Sequence, residues 1–139
     1  MPEKQSGYLF ALLATFVFNM EDRRSNREKH PEIRAVEKAK TILQASLKHP
    51  PAVIDLCRKV GVNKNKLQKG FRLTEGKSVA EYVRTLRMER ALDLLEDDTL
   101  SIQDVAEKVG YNGISNFYAV FRQPFGDTPA AIQKLLETK

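Results

Sequence analysis

Within nine residues, Lys64, Asn65, Lys66, Gln68, Lys69 and Arg72 bring together four cations and two amides. Cations neutralise phosphate, and amide or cationic side chains hydrogen-bond to base edges in the major groove of DNA. In this reading Lys64, Lys66 and Arg72 hold phosphates, and Asn65, Gln68 and Lys69 read bases. Fifty residues further on, Ile114, Ser115, Asn116 and Arg122 form a thinner version of the group. Ser115 and Asn116 can hydrogen-bond to base edges, Ile114 can touch a thymine methyl, and Arg122 can take a phosphate. Tyr118 and Ala119 fill the other outward positions. The second group should therefore bind more weakly, with a smaller dependence on salt.

Other chemistry finds little support. Cys57 is the only cysteine, so no internal disulfide can form. His30 and His49 each precede a proline and have no Cys or acidic cluster at metal-ligand spacing. No nucleophile is paired with a base. The sequence reads as a protein without catalysis, metal or cofactor.

Side chains can read a groove only from a rigid face, so the elements that carry them come next. At 42% hydrophobic and 29% charged, the 139 residues read as globular, with helical periods throughout and no strand-like runs. Pro31 suits the first turn of a helix reaching about Lys48, with Ile33, Val36, Ile42, Leu43 and Leu47 on its apolar face, until His49-Pro50-Pro51 stops it. Helices over about Ala52–Val60 and Lys64–Leu73 follow, separated by Gly61. Ser78-Val79-Ala80-Glu81 reads as a capping box that opens a long helix to about Asp97. Ser101 can cap a helix over Ile102–Val109. Another spans about Ile114–Gln123, and Thr128-Pro129 begins the last.

The chain repeats itself. Asp55–Gly61 aligns with Asp104–Gly110 forty-nine residues on, and Asn63 with Asn112. Past the turn the offset becomes fifty: Leu67 meets Phe117, Phe71-Arg72 meets Phe121-Arg122, Gly76 meets Gly126 and Ser78 meets Thr128. The copies differ by one residue inserted in the turn. Each has a small residue (Cys57, Ala106) in the middle of its first helix and a glycine (Gly61, Gly110) four residues later. A helix-turn-helix needs both features: a small residue where the helices cross, and a residue free to adopt positive φ in the turn. A duplicated helical hairpin would share this pattern, and the cationic, amide-rich outer face of Lys64–Arg72 favours nucleic acid.

Charge agrees in placement. The net charge is +5, but residues 31–76 carry ten Lys and Arg against four Asp and Glu, while residues 77–139 carry eight against ten. A basic middle segment suits a polyanion. The long helix, about 20 residues or ~30 Å, is close to the ~34 Å between successive major grooves on one face of DNA. Its buried side is expected to include Val79, Val83, Leu86, Ala91, Leu94 and Leu95. Arg84, Arg87 and Arg90 face solvent or phosphate, or pair along the helix with Glu81, Glu89 and Asp93.

The expected fold is all-α: two tandem helix-turn-helix subdomains (about 31–77 and 98–139) joined by a linker helix (about 78–97), with an apolar helix and polar linker in residues 1–30. Tyr8–Phe18 is eleven apolar residues, too short for the roughly 20 of a membrane span, and without the charge pattern or cleavage site of a secretory signal. Residues 7–20 read as a buried helix.

The stretch SIQDVAEKVGYNGISNFYAVFRQPFGDTP resembles the second helix-turn-helix signature of the AraC/XylS family of bacterial transcription regulators. Ile102, Ala106, Gly110-Tyr111, Phe117, Phe121-Arg122, Phe125-Gly126 and Pro129 carry the likeness, which extends from about Ile33 to the C-terminus through YVRTLRMERALDLL. HPPAVIDLCRKVGVNKNKLQKGFR is most similar to the branch that regulates siderophore synthesis and iron uptake. Two features depart from the family: the pair Ile132-Gln133 where it usually has Tyr-Arg, and Ala119 where it often has a polar or basic residue. The resemblance implies a sequence-specific regulator of transcription, an activator, that binds double-stranded promoter or operator DNA in the cytoplasm, at the nucleoid, with RNA polymerase as a partner. It also implies a separate effector-binding or dimerisation domain ahead of this module, of which residues 7–20 would be the closing helix; alternatively they make a homodimer. The competing reading is a helical protein-interaction module that acts on another regulator through that apolar helix.

Overall fold

A computed structural model describes residues 31–137, all of whose regular elements are helices. The helix expected in residues 7–20 and the polar linker after it lie outside the described residues. In chain order the helices are α1 (Pro31–Ala45), α2 (Val53–Val60), α3 (Lys64–Glu75), α4 (Val79–Leu95), α5 (Ile102–Lys108), α6 (Ile114–Phe125) and α7 (Pro129–Glu137).

Helix α1 starts on Pro31, where a missing N–H costs no intrahelical bond. It buries Ala35, Val36, Ala39 and Leu43. Of the expected apolar row, Val36 and Leu43 are core, while Ile33, Ile42 and Leu47 are only half-buried. Two alanines replace them because α3 comes very close: a Cβ on Gly70 would lie 2.7 Å from Val36 Cγ2 and 3.3 Å from the Glu32 carbonyl oxygen. The helix stops at Ala45, short of Lys48, as the Ser46 hydroxyl turns back onto the Ile42 carbonyl at 2.6 Å. The Lys40 ammonium meets the Glu75 carboxylate at 2.7 Å and ties α1 to the end of α3.

Gly61 closes α2 at φ +78°, with its N–H on the Cys57 carbonyl. Asn63 then caps α3, accepting from the Lys66 N–H at 2.9 Å. In the second unit Val109 and Gly110 follow α5, and Gly113 stands at the N-cap of α6 with no side chain to offer. The residue inserted in the second turn thus moves Asn112 out of the capping position.

Only half of the box expected at Ser78 forms. The Ser78 Oγ accepts from the Glu81 N–H, but Glu81 takes the Ser78 hydroxyl proton rather than the backbone N–H. The complete reciprocal box is at Ser101 and Asp104. It holds the Asp104 carboxyl below its ordinary range, chiefly through the bond from the Ser101 N–H. Thr99 does the same to Asp97, first through its hydroxyl.

Helix α4 belongs to two cores. Val79 and Tyr82 are buried with α1–α3, with Val83 and Leu86 packed beside them. Met88, Ala91 and Leu95 are buried with α5 and α6, with Leu94 beside them. At 100° per residue these two sets fall on nearly opposite sides of the helix. The single buried stripe expected from the sequence is therefore corrected: Tyr82 and Met88 join the core, and Val83, Leu86 and Leu94 stay at its margin. Tyr82 packs edge-on to Phe71 at 5.3 Å and its hydroxyl accepts from the Gln44 amide. In the second core Tyr111, Phe117, Phe121 and Phe125 form a chain of rings 4.5–5.7 Å apart. Helix α7 closes that core with buried Pro129 and partly buried Ile132 and Leu136. Gln133, at a family-divergent position, donates its amide to the Leu95 carbonyl at 3.3 Å.

Candidate nucleic-acid interface

Leu67, Gly70 and Phe71 face inward on α3, which fixes what must face out. Asn65, Lys69 and Arg72, at i, i+4 and i+7, share the side opposite that core, and all three are exposed. Lys64 and Lys66 are exposed on the first turn, where free N–H groups and the helix dipole also favour an anion. Among the described residues none of Lys64, Lys66, Lys69 and Arg72 has a carboxylate partner, since the ion pairs are Lys40–Glu75 and Arg58–Asp55. Five of the six expected first-unit residues thus form one unpaired surface.

Gln68 is the exception. It is half-buried, and its amide oxygen accepts from the Val79 N–H at 3.0 Å. That N–H is one of the free donors at the start of α4, so Gln68 supplies a cap from outside the helix. Its carbonyl is engaged by the protein, and only the NH₂ remains to meet a ligand.

On α6, Phe117 and Phe121 face inward and Ile114, Ser115, Asn116 and Arg122 are exposed. The outermost positions, equivalent to Asn65, Lys69 and Arg72, are Ser115, Ala119 and Arg122. Ile114 is 41% exposed, an apolar side chain at the helix start where the first unit has Lys64. Tyr118, the counterpart of Gln68, packs against the second core. The exposed Gln123, the counterpart of Leu73, adds an amide that the sequence reading passed over.

The linker arginines divide. Arg84 and Arg90 are exposed. Arg87 is half-buried, donates from Nε to the Leu47 carbonyl at 3.2 Å, and lies 5.1 Å over the centre of the Tyr111 ring. For Arg87 this replaces both expectations, solvent or phosphate and pairing along the helix. Helix α4, at 17 residues or ~25 Å, is also shorter than the groove-to-groove distance it was expected to span.

Two small helices crossing at a glycine turn, an exposed cationic second helix, and a repeat of the whole on a shared helix define a tandem helix-turn-helix module. The chain belongs to the helix-turn-helix domain family of AraC type, whose model matches residues 56–135. It is 27% identical over 136 residues to the Msm operon regulatory protein of Streptococcus mutans, a match covering 94% of this chain and 47% of that protein. The chain thus spans less than half the length of that relative. A solved DNA-binding transcriptional dual regulator from Escherichia coli K-12 superposes with a TM-score of 0.67 at 27% identity, over 78% of this chain and 94% of that one. The DNA-binding domain of AdpA, solved with a target DNA, shares the fold with a TM-score of 0.69 at 21% identity, over 74% and 93% of the two chains.

Proposed function

We propose that the chain is the DNA-reading module of a transcription regulator, an activator, that sets α3 and α6 into successive major grooves of a promoter or operator. The observation that carries this is the unpaired surface of α3. Unpaired cations on an exposed helix have no ion pair to give up when they meet phosphate, and each phosphate contact releases counterions. In this reading Lys64, Lys66 and Arg72 hold phosphates, Asn65 and Lys69 read bases, and Gln68 adds at most its NH₂. Ile114, Ser115, Asn116 and Arg122 are the weaker reader. The fold shared with AdpA, solved on its target DNA, supports the same reading. The reading has no catalytic step, metal or cofactor; it places the protein on the nucleoid, with RNA polymerase as the partner of activation and residues 7–20 as the means of dimerisation.

The test uses a duplex selected by the protein from a randomised pool. Asn65→Ala and Lys69→Ala should each weaken binding to that duplex by about 1–3 kcal/mol and relax its sequence at one position. Wild-type affinity in both variants would overturn the assignment of base contacts.

A further inference from the structure

The structure joins the two units in two ways, and only one is the shared helix. No helix of the first unit packs broadly on a helix of the second; the broad contacts between units all run through α4. Because α4 buries opposite faces in the two cores, rolling either unit about the helix would pull Val79 and Tyr82, or Met88, Ala91 and Leu95, out of their core, but a bend or twist of α4 between those two sets would not.

Among the described residues a direct contact also lies between them. Behind α1, the Leu47 carbonyl accepts from Arg87 Nε at 3.2 Å. The same guanidinium lies over the Tyr111 ring, in the turn of the second unit. Gly110 presses into the same spot: a Cβ there would come within 2.8 Å of Arg87 Nη2 and 2.9 Å of the Lys48 carbonyl oxygen, and φ is +105°. The chain has room at this point for a glycine and no more. Arg87 stands on the side of α4 between its two buried faces, so its side chain reaches both units at once. It has no ion-pair partner among the described residues, and its charge is met by a carbonyl and an aromatic face. Lys48 and His49 on one side and Glu107 and Asn112 on the other border a cavity of ≈ 220 Å³ beside the contact, so the clasp is local and not part of a continuous core.

We infer that Arg87 is a positioning residue that clasps the end of α1 to the turn of the second unit and so fixes α3 and α6 at one mutual orientation, making the module selective for one spacing of its two half-sites. The orientation stands on the structure; the spacing rests on the DNA-reading function above. Half-site spacing follows from how far apart a protein holds its reading helices, and a joint that can bend or twist tolerates several spacings. A planar, stacked fork of donors is needed at such a point, and a lysine ammonium does not replace it.

Two measurements separate these parts. Residual dipolar couplings of the backbone amides should fit one alignment tensor for both units in the wild type, and need two in Arg87→Lys and in Arg87→Met, with shifts far from the clasp unchanged. A single tensor in both variants, or two in the wild type, overturns the clasp. So does loss of shift dispersion in both variants, which would make Arg87 a requirement for folding. Second, the selected duplex is compared with versions carrying one or two base pairs more or fewer between its halves. Wild type should lose about tenfold or more on the altered spacings, and Arg87→Lys should bind all of them within about threefold of one another. An Arg87→Lys variant that keeps the wild-type preference overturns the inference, since a phosphate contact would survive as lysine. If wild type binds no duplex at all, the DNA reading fails and the couplings still decide the clasp.

Discussion

Position by position, fifty residues apart, α3 and α6 keep large apolar side chains at two inward positions and change most of their outward ones. Leu67 and Phe71 become Phe117 and Phe121, all fully buried, while Lys64, Lys66 and Lys69 become Ile114, Asn116 and Ala119, all exposed. Packing sets the first group, because a fully buried position needs an apolar side chain that fills its own core. Nothing in the fold sets the second group, so it is free to follow a ligand. The difference teaches that the duplication conserves the scaffold and divides the labour: α3 supplies most of the charge, and α6 a less charged surface whose placement depends on α4 and Arg87. The turns differ in the same sense, with a side-chain cap on α3 and none on α6.

The largest effects should come from the cores. Phe71→Ala and Phe121→Ala should each destabilise the chain by about 3–5 kcal/mol, followed by urea denaturation. Because α4 lies in both cores, either change should move one common transition; two separate transitions would show that the units fold independently. Next comes the surface contrast itself. Ala119→Lys should strengthen binding to the selected duplex and steepen the dependence of log K on log salt by about one, whereas an unchanged slope would mean that this face of α6 lies away from phosphate.

Acid and alkali should loosen opposite ends of the molecule. Asp104 and Asp97 have folded values below the ordinary 3.8, so their contribution is complete above that value and is lost as pH falls through the folded one. In the first unit, burial pushes the Tyr82 hydroxyl above 10.0. Burial pulls the Lys40 ammonium down, but the hydrogen bond and charge of Glu75, with Glu37, leave it above 10.5. Those contributions are complete below the ordinary values and are lost as pH rises through the folded ones. Amide exchange should therefore quicken first around α5 below pH 3.8, and around α1 and α4 above pH 10.5; the reverse order would break the comparison. The smallest effect is the missing cap. Gly113 has φ −131° and open space around its Cβ position, so Gly113→Asn should stabilise α6 by a few tenths of a kcal/mol in thermal melts.

What could be read along the chain was local. The glycine turns, the caps at Ser78 and Ser101, the prolines at helix starts and the small residues at the crossings depend on neighbours within a turn or two, and the repeat showed the glycines and the small residues twice. The outward face of α3 was legible for the same reason, since a helical period separates it from Leu67 and Phe71. Gln68 belongs to the α3 period as well, yet its partner is a backbone N–H eleven residues away on another helix.

The sequence by itself determined the all-helical fold, the duplication and the cationic outer face of α3, because periodicity, capping and charge are properties of short stretches. Only the tertiary structure decided how α4 serves two cores on opposite faces and that Arg87 joins the units. That contact spans forty residues, to a carbonyl just past the end of α1 and a tyrosine in a turn. A long cationic side chain on a helix looks the same in sequence whether water, phosphate or another part of the chain lies beside it; the packing of the two units is what brings Leu47 and Tyr111 within its reach.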